Sequence, residues 1–269
     1  MGYYTRSGGL IGIGTYTPDA NKGVYGLNEG FMDVPTSTGP TYVTDGLVLY
    51  LDAGDTNSYG GSGSTWTDLS GGGKNHSIGG NASWVSAGDA SYFNVSGSGT
   101  AFTGAASNSY GFGTEHTIEI FMMQGNASYN FVYFFYNNVS TGGGRGMSAH
   151  INYGNSNWGT DYYDVNGCCT SSQRINGSYT DQTTTTIRQH VWRKRTSTTP
   201  HRQYFRNTTQ ILSSGTNSTA SGTFNVSTAN YFGYNWNGRM YLIRAYNRAL
   251  TDAEITSNFN GDKARFGIT

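Results

Sequence analysis

Long hydrophobic runs, net charge, proline and spaced cysteines are all scarce in this 269-residue chain, and each scarcity closes off a class of protein. No stretch of about 18 apolar residues occurs, so no transmembrane helix and no membrane insertion are expected. Lys and Arg together number 16, as do Asp and Glu, and charged residues make up only 12%. A neutral chain has no global field to draw nucleic acid or an anionic membrane, so no nucleic-acid partner is expected. The opening Met1-Gly-Tyr-Tyr-Thr-Arg6 lacks a basic region followed by an apolar stretch and a cleavage site, so no secretory signal is expected. The two cysteines, Cys168 and Cys169, are neighbours. A bond between them would close a strained ring and constrain almost no loop. Reduced thiols, a vicinal disulfide and an intermolecular disulfide all remain open, whereas a zinc site would need further Cys or His at defined spacing.

Aliphatic mass is also short: Leu, Ile, Val and Phe make up fewer than a fifth of the residues. Such a composition with high net charge would predict disorder. Here net charge is nil and aromatics reach 14%, with 21 Tyr, so large rings replace aliphatic side chains in a pleated core. With 40 Gly and abundant Ser, Thr and Asn, the chain reads as many short strands joined by tight turns. Asn-X-Ser/Thr triplets at Asn81, Asn94, Asn138 and Asn225 are what chance provides in such a composition, and glycosylation is given little weight.

Residues 1–42 carry three of the four prolines (Pro18, Pro35 and Pro40) and no sustained alternation. They are expected to form an extended N-terminal arm, with residues 43–269 forming one domain. Leu47-Val-Leu-Tyr-Leu51 is a buried strand by its continuous apolar character. Residues 117–123 and 130–136 read as central strands. Residues 147–153 alternate, as do 187–194, and 239–246 is the last clear strand. Strands at this density predict an all-β, two-sheet sandwich or jelly roll. One short C-terminal helix is expected from the capping box Thr251-Asp-Ala-Glu254, with Ile255 and Phe259 packing on the sheet edge and a stop at Gly261.

Gly46-Leu-Val-Leu-Tyr-Leu-Asp-Ala-Gly-Asp55, followed by Ser64-Thr-Trp-Thr-Asp-Leu-Ser-Gly71 and Asn75, resembles the opening of concanavalin A-like lectin/glucanase (laminin-G-like) domains. The run from Asn237 to Ile255 is similar to that family's last strand and helix. The resemblance spans about residues 43–266 and is marked toward structural proteins of tailed bacteriophages. It implies a jelly roll used for binding or display on the virion surface, in capsid decoration or at a tail fibre, assembled in the host cytoplasm. The implied partners are other capsid or tail proteins and a host-surface glycan, and the turn-rich, neutral, low-Lys composition adds further copies of the chain in a homo-oligomer, with a trimer as candidate stoichiometry. An enzyme is not expected and no cofactor is required. Val191-Trp-Arg-Lys-Arg195 departs from the family, only Trp192 fitting the usual strand. Fold alone does not settle role.

Four constellations carry candidate chemistry. Glu115 and Glu119 share a strand face, as the carboxylates of a retaining glycosidase would, but Thr117 stands where related glucanases carry Asp, and a structural Glu119 is the expectation. A structural Ca²⁺, implied by the resemblance, would draw on Asp52, Asp55, Asp161 and Asp164. A carbohydrate site would use Trp158, Tyr162 or Tyr163 as stacking platforms and Asn157 and Asp161 as hydrogen-bonding partners, in a loop after a strand. A second aromatic run, Tyr231-Phe-Gly-Tyr-Asn-Trp236, is expected mainly in the core. Finally, Arg188, His190, Trp192 and Lys194 alternate onto one face, and with Arg202 form a candidate patch for an anionic partner, against the alternative of a solvated strand face.

Overall fold

The computed structural model describes residues 42–105, 110–112, 115–125, 133–137, 148–151, 159–163, 174–178, 185–213 and 230–269. They form two antiparallel sheets. Sheet A contains β1 (Leu47–Asp52), β4 (Ala82–Val85), β5 (Tyr92–Val95), β7 (His116–Gln124), β12 (Arg188–Lys194), β13 (Arg202–Arg206), β14 (Thr209–Ser213) and β16 (Gly238–Tyr246). Sheet B contains β2 (Thr65–Trp66), β3 (His76–Ile78), β6 (Thr100–Gly104), β8 (Tyr133–Asn137), β9 (Ser148–Ile151), β10 (Gly159–Tyr163), β11 (Arg174–Ser178) and β15 (Asn230–Tyr234). Sheet A runs β14-β13-β12-β7-β16-β5-β4, with β1 also on β16, and sheet B runs β11-β10-β9-β8-β15-β6-β3-β2. The chain crosses repeatedly between sheets, as a jelly-roll sandwich requires. The expected fold class is observed.

The composition explains the core. Strand alternation turns Leu49, Leu51, Phe93, Ile118, Ile120, Trp192, Tyr204 and Ile243 of sheet A against Phe102, Ile175 and Phe232 of sheet B. Trp66, Phe93 and Phe102 form a tilted aromatic triangle, with centroids 4.7–5.1 Å apart. Each such pair adds about 0.5–1.5 kcal/mol beyond area burial, which is how a chain poor in Leu and Val fills a sandwich.

Helix α1 (Asp252–Asp262) begins where the sequence predicts. Thr251 accepts from the Glu254 backbone N–H, and Glu254 accepts from the Thr251 N–H at 2.7 Å. The helix runs one residue past Gly261. Its position differs from expectation: Ile255 packs with Val191, Phe205 and Tyr246, and Phe259 with Tyr50, Phe121 and Leu242. These belong to β1, β7, β12, β13 and β16, so the helix lies on the outer face of sheet A, not on its edge. The cause is that this face is itself apolar and aromatic, and only a second layer removes it from water. No helix among the described residues is long and apolar enough to cross a membrane. The arm assigned to residues 1–42 lies, apart from Tyr42, outside the described residues, as do Cys168 and Cys169.

Candidate functional site

A sandwich offers two outer faces and its rims for function. The outer face of sheet A is occupied. Register aligns Tyr50, Arg244, Glu119, Val191 and Phe205 in one cross-strand row. Arg244 is fully buried between Glu119 at 3.4 Å and Asp262 of the helix at 2.7 Å. Its guanidinium also lies 4.6 Å from the Tyr42 ring and 4.9 Å from that of Tyr50. Burial opposes the Arg244 charge, but Glu119 and Asp262 hold its pKa well above the ordinary value. Burial pushes the Glu119 carboxyl up, against the pull of Arg244 and of hydrogen bonds from Gln189 and Asn258. Asn258 also accepts from the Val43 backbone N–H through its side-chain oxygen, so residues 42 and 43 are strapped over the same face. Glu119 is thus a structural carboxylate beneath a helix, as expected, while Glu115 is tied to Thr196. The two do not form a solvent-facing pair.

The rim carboxylates are committed locally. Asp52 is buried, and its two oxygens receive the Arg265 guanidinium at 2.5 and 2.6 Å. The Tyr50 hydroxyl and the Gly54 N–H complete its shell at 2.8 Å. Arg265 also donates to the Asp89 carbonyl. Asp55 accepts from the Asn57 backbone and side chain, an Asx turn. This donor set does not fit a calcium ion at Asp52, because a guanidinium fills the carboxylate. Asp161 lies on β10 and Asp164 outside the described residues, and among the described residues no group of three or more His, Cys, Asp or Glu is gathered.

The basic cluster is turned inward. β12 sits between β7 and β13, and Trp192 packs in one cluster with Phe102 and Phe232 of sheet B, so the face carrying His190, Trp192 and Lys194 points at the other sheet. Trp192 joins the main core. His190, Lys194 and, across the pair, Arg202 are 5%, 1% and 0% exposed, and Arg188 is half-buried. The cluster is neither a patch for an anionic partner nor a solvated face. The alternation is real, but no sequence signal tells which side faces the second sheet. Burial lowers the His190 pKa well below its usual range, helped by Arg188 and Arg206, and does the same at His116 beside Lys194 and Arg202. On the opposite face, Arg193 donates to Gln203 and to the Leu250 carbonyl.

Sheet B presents a different outer face. Trp66, His76, Gly104 and Asn230 form one register row, and Ile78, Phe102 and Phe232 another. The described side chains of these rows are buried except half-buried Ile78. Between them runs a third row on the opposite side, Thr65, Ser77, Thr103 and Tyr231, whose backbone register continues through positions 136, 148, 163 and 174. Thr65 and Ser77 are exposed, and Thr103 and Tyr231 half-buried. On the core side, His76, Tyr110 and Asn230 converge, the Tyr110 hydroxyl and His76 Nε2 lying 2.8 and 2.9 Å from the Asn230 side-chain oxygen. Burial lowers the His76 pKa to about 4.

The proposed carbohydrate residues are split by this pattern. Residues 159–163 form strand β10 and not a loop. Asp161 pairs with His150 and Asn176, and Tyr163 with Ser148 and Arg174, whereas Tyr162 shares its row with Ala149 and the buried Ile175. Tyr162 is thus one residue out of step with Asp161 and Tyr163 along β10. Asn157 and Trp158 lie outside the described residues. In the second aromatic run, Phe232 and Trp236 are core residues as expected, while Tyr231 and Tyr234 are half-buried.

No family model matches the chain, and no curated protein is significantly similar to it. Solved structures are similar in fold. The binding domain of botulinum neurotoxin serotype D matches with a TM-score of 0.61 at 14% identity, over 83% of this chain and 52% of that one. A Trypanosoma rangeli sialidase in complex with sialic acid matches with a TM-score of 0.56 at 13% identity, over 80% of this chain. The chain spans 32% of that sialidase's length. The class defined by fold and neighbours is therefore a two-sheet antiparallel β-sandwich. The expectation that the chain is not an enzyme does not stand. Several of the matched structures are sialidases, and although a likeness of fold assigns no activity, it removes the ground for excluding one.

Proposed function

We propose that this chain is a carbohydrate-binding protein of a virion surface, holding a host-surface glycan on the outer face of sheet B. The observation that carries the reading is the row of hydroxyl and phenol residues there, on the sheet that α1 does not cover. Tyrosine faces stack on sugar rings and Thr and Ser hydroxyls bond their hydroxyls, which is the chemistry a polyol needs. A neighbour of similar fold, a sialidase in complex with sialic acid, supports a glycan as the ligand. The resemblance of Gly46–Gly71 and Asn237–Ile255 to phage structural proteins supports the virion setting. In this reading residues 1–42 dock the subunit to capsid or tail, and copies assemble as a homo-oligomer such as a trimer.

The test uses the full chain and a version starting at Tyr42, since the Tyr42 ring packs against that of Tyr50 with centroids 4.7 Å apart. Both are offered to a glycan array and to empty phage particles. The expected result is that both bind one glycan class, that Tyr231→Ala or Trp158→Ala weakens this binding, and that only the full chain binds particles. A blank array would sink the glycan reading, and equal particle binding by both versions would remove the docking role of the arm.

A further inference from the structure

We propose that Arg239, with Asn94 and Ser83 beside it, forms a second binding site on the outer face of sheet A, for the carboxylate of an acidic sugar unit such as a uronate. The site lies on a different sheet from the glycan face proposed above and does not depend on it. Under α1 and its tail this face holds Tyr50, Phe121, Leu242 and Val191, all buried. Toward β4 its character changes. Register sets Ser83, Asn94, Arg239 and Met123 in one row across β4, β5, β16 and β7. Ser83 and Asn94 are exposed, and Arg239 and Met123 half-buried. Their strand neighbours Phe93, Met240 and Met122 belong to the core between the sheets, so alternation turns the row outward.

Charge singles out Arg239. Arg193, Arg244, Arg248 and Arg265 each hold a carboxylate at 2.5–2.7 Å, in pairs that fasten α1 or its tail. Arg239 has an aromatic cradle in place of an acid. Its guanidinium lies 4.7 Å from the Tyr92 ring, which packs on Tyr241 with centroids 5.3 Å apart. Burial raises the Tyr241 hydroxyl's pKa, and the neighbouring Arg239 cation offsets part of that rise. No carboxylate pairs with Arg239 among the described residues, and the chain from 126 to 147, which follows β7, contains neither Asp nor Glu. A guanidinium stacked on a ring keeps its edge N–H groups available for both oxygens of a carboxylate. The backbone beneath is fixed: Asn237 Oδ1 accepts from the Gly97 N–H at 3.0 Å, and a Cβ added at Gly238 would lie 2.4 Å from the Met123 carbonyl oxygen. Beside the fork, the Asn94 amide can bond sugar hydroxyls. So can the Ser83 hydroxyl, which donates to the Asn94 carbonyl at 3.4 Å and still accepts. One cation in a row of neutral polar groups suits one charge per sugar, which a uronate carries.

The full chain is titrated calorimetrically at pH 7 with trigalacturonic acid and with its methyl ester, the same sugars without the charge. The acid is expected to bind about tenfold or more tightly than the ester. Arg239→Gln should erase that preference. Arg239→Lys should restore only part of it, since an ammonium lacks the planar fork. Asn94→Ala, an exposed change, should weaken binding of the acid severalfold, and circular dichroism checks that each variant is folded. Equal affinity for acid and ester, no binding of the acid, or a preference that survives Arg239→Gln would overturn the inference. A preference lost in Tyr231→Ala and kept in Arg239→Gln would overturn it too, by moving the acid to sheet B.

Discussion

The two sheets of this sandwich have inner faces of one kind and outer faces of opposite kinds. Outside sheet A lie Tyr50, Phe121, Leu242, Arg244, Glu119 and Val191, all buried under α1 and residues 42–43. Outside sheet B lies a row of Thr, Ser and Tyr whose described members are exposed or half-buried. A face of aromatic and charged residues needs a lid, and once it has one its charges serve structure. A face of small hydroxyls and phenols has no buried charge that calls for such a layer. Electrostatics sharpen the contrast, because the buried ion pairs around Arg244 and Arg265 are spent holding the lid down.

That contrast can be broken at several points, the largest effect first. Arg244→Met would leave Glu119 and Asp262 buried without their cation, and should cost about 3–5 kcal/mol in urea denaturation. A loss below about 1 kcal/mol would mean the network does not hold the lid. Next comes acid. The folded-state pKa of His76 lies at about 4, below the 6.5 of an unfolded histidine, so the unfolded chain binds the proton first. Its contribution is fully present above about pH 6.5 and is lost as pH falls toward 4, by up to about 3 kcal/mol. His116 and His190 shift in the same direction, whereas the raised Glu119 carboxyl opposes them, gaining its proton more readily in the folded state. Denaturation midpoints should therefore fall between pH 7 and 5, and His76→Gln should flatten that slope. A smaller loss, about 1 kcal/mol, is expected for Thr251→Ala, which removes the helix cap and is read by thermal unfolding. The smallest belongs to sheet B: Thr103→Ala should change stability by no more than about 0.5 kcal/mol. A cost near that of Arg244→Met would show that the row is packed and not presented.

Much of the fold is legible in the sequence because period and capping are local. Leu47–Leu51, residues 117–123 and the Thr251 box each announce an element that is present. The short strands β2–β6 and β13–β15 are not legible, since two to five residues carry too little alternation. The candidate site is harder. Alternation of Arg188, His190, Trp192 and Lys194 is plain, but both sides of β12 are covered, one by the second sheet and one by the helix, and alternation does not tell which is which. The stretch 155–164 reads as a loop in sequence, yet Gly159–Tyr163 is a strand. The outer row of sheet B joins residues as distant as Thr65 and Arg174, and only the pairing of eight strands brings them into line. Its sole local trace is Tyr231 beside Phe232, a polar-apolar alternation inside a run expected mainly in the core.

The most direct test of glycan binding on sheet B is tyrosine-directed covalent footprinting of the full chain, with and without the polysaccharide it retains. Tyr231 is expected to be protected by the ligand, and Tyr42, on the sheet A side, to be unchanged. Protection at Tyr42 with none at Tyr231 would place the ligand on the other face and contradict the claim.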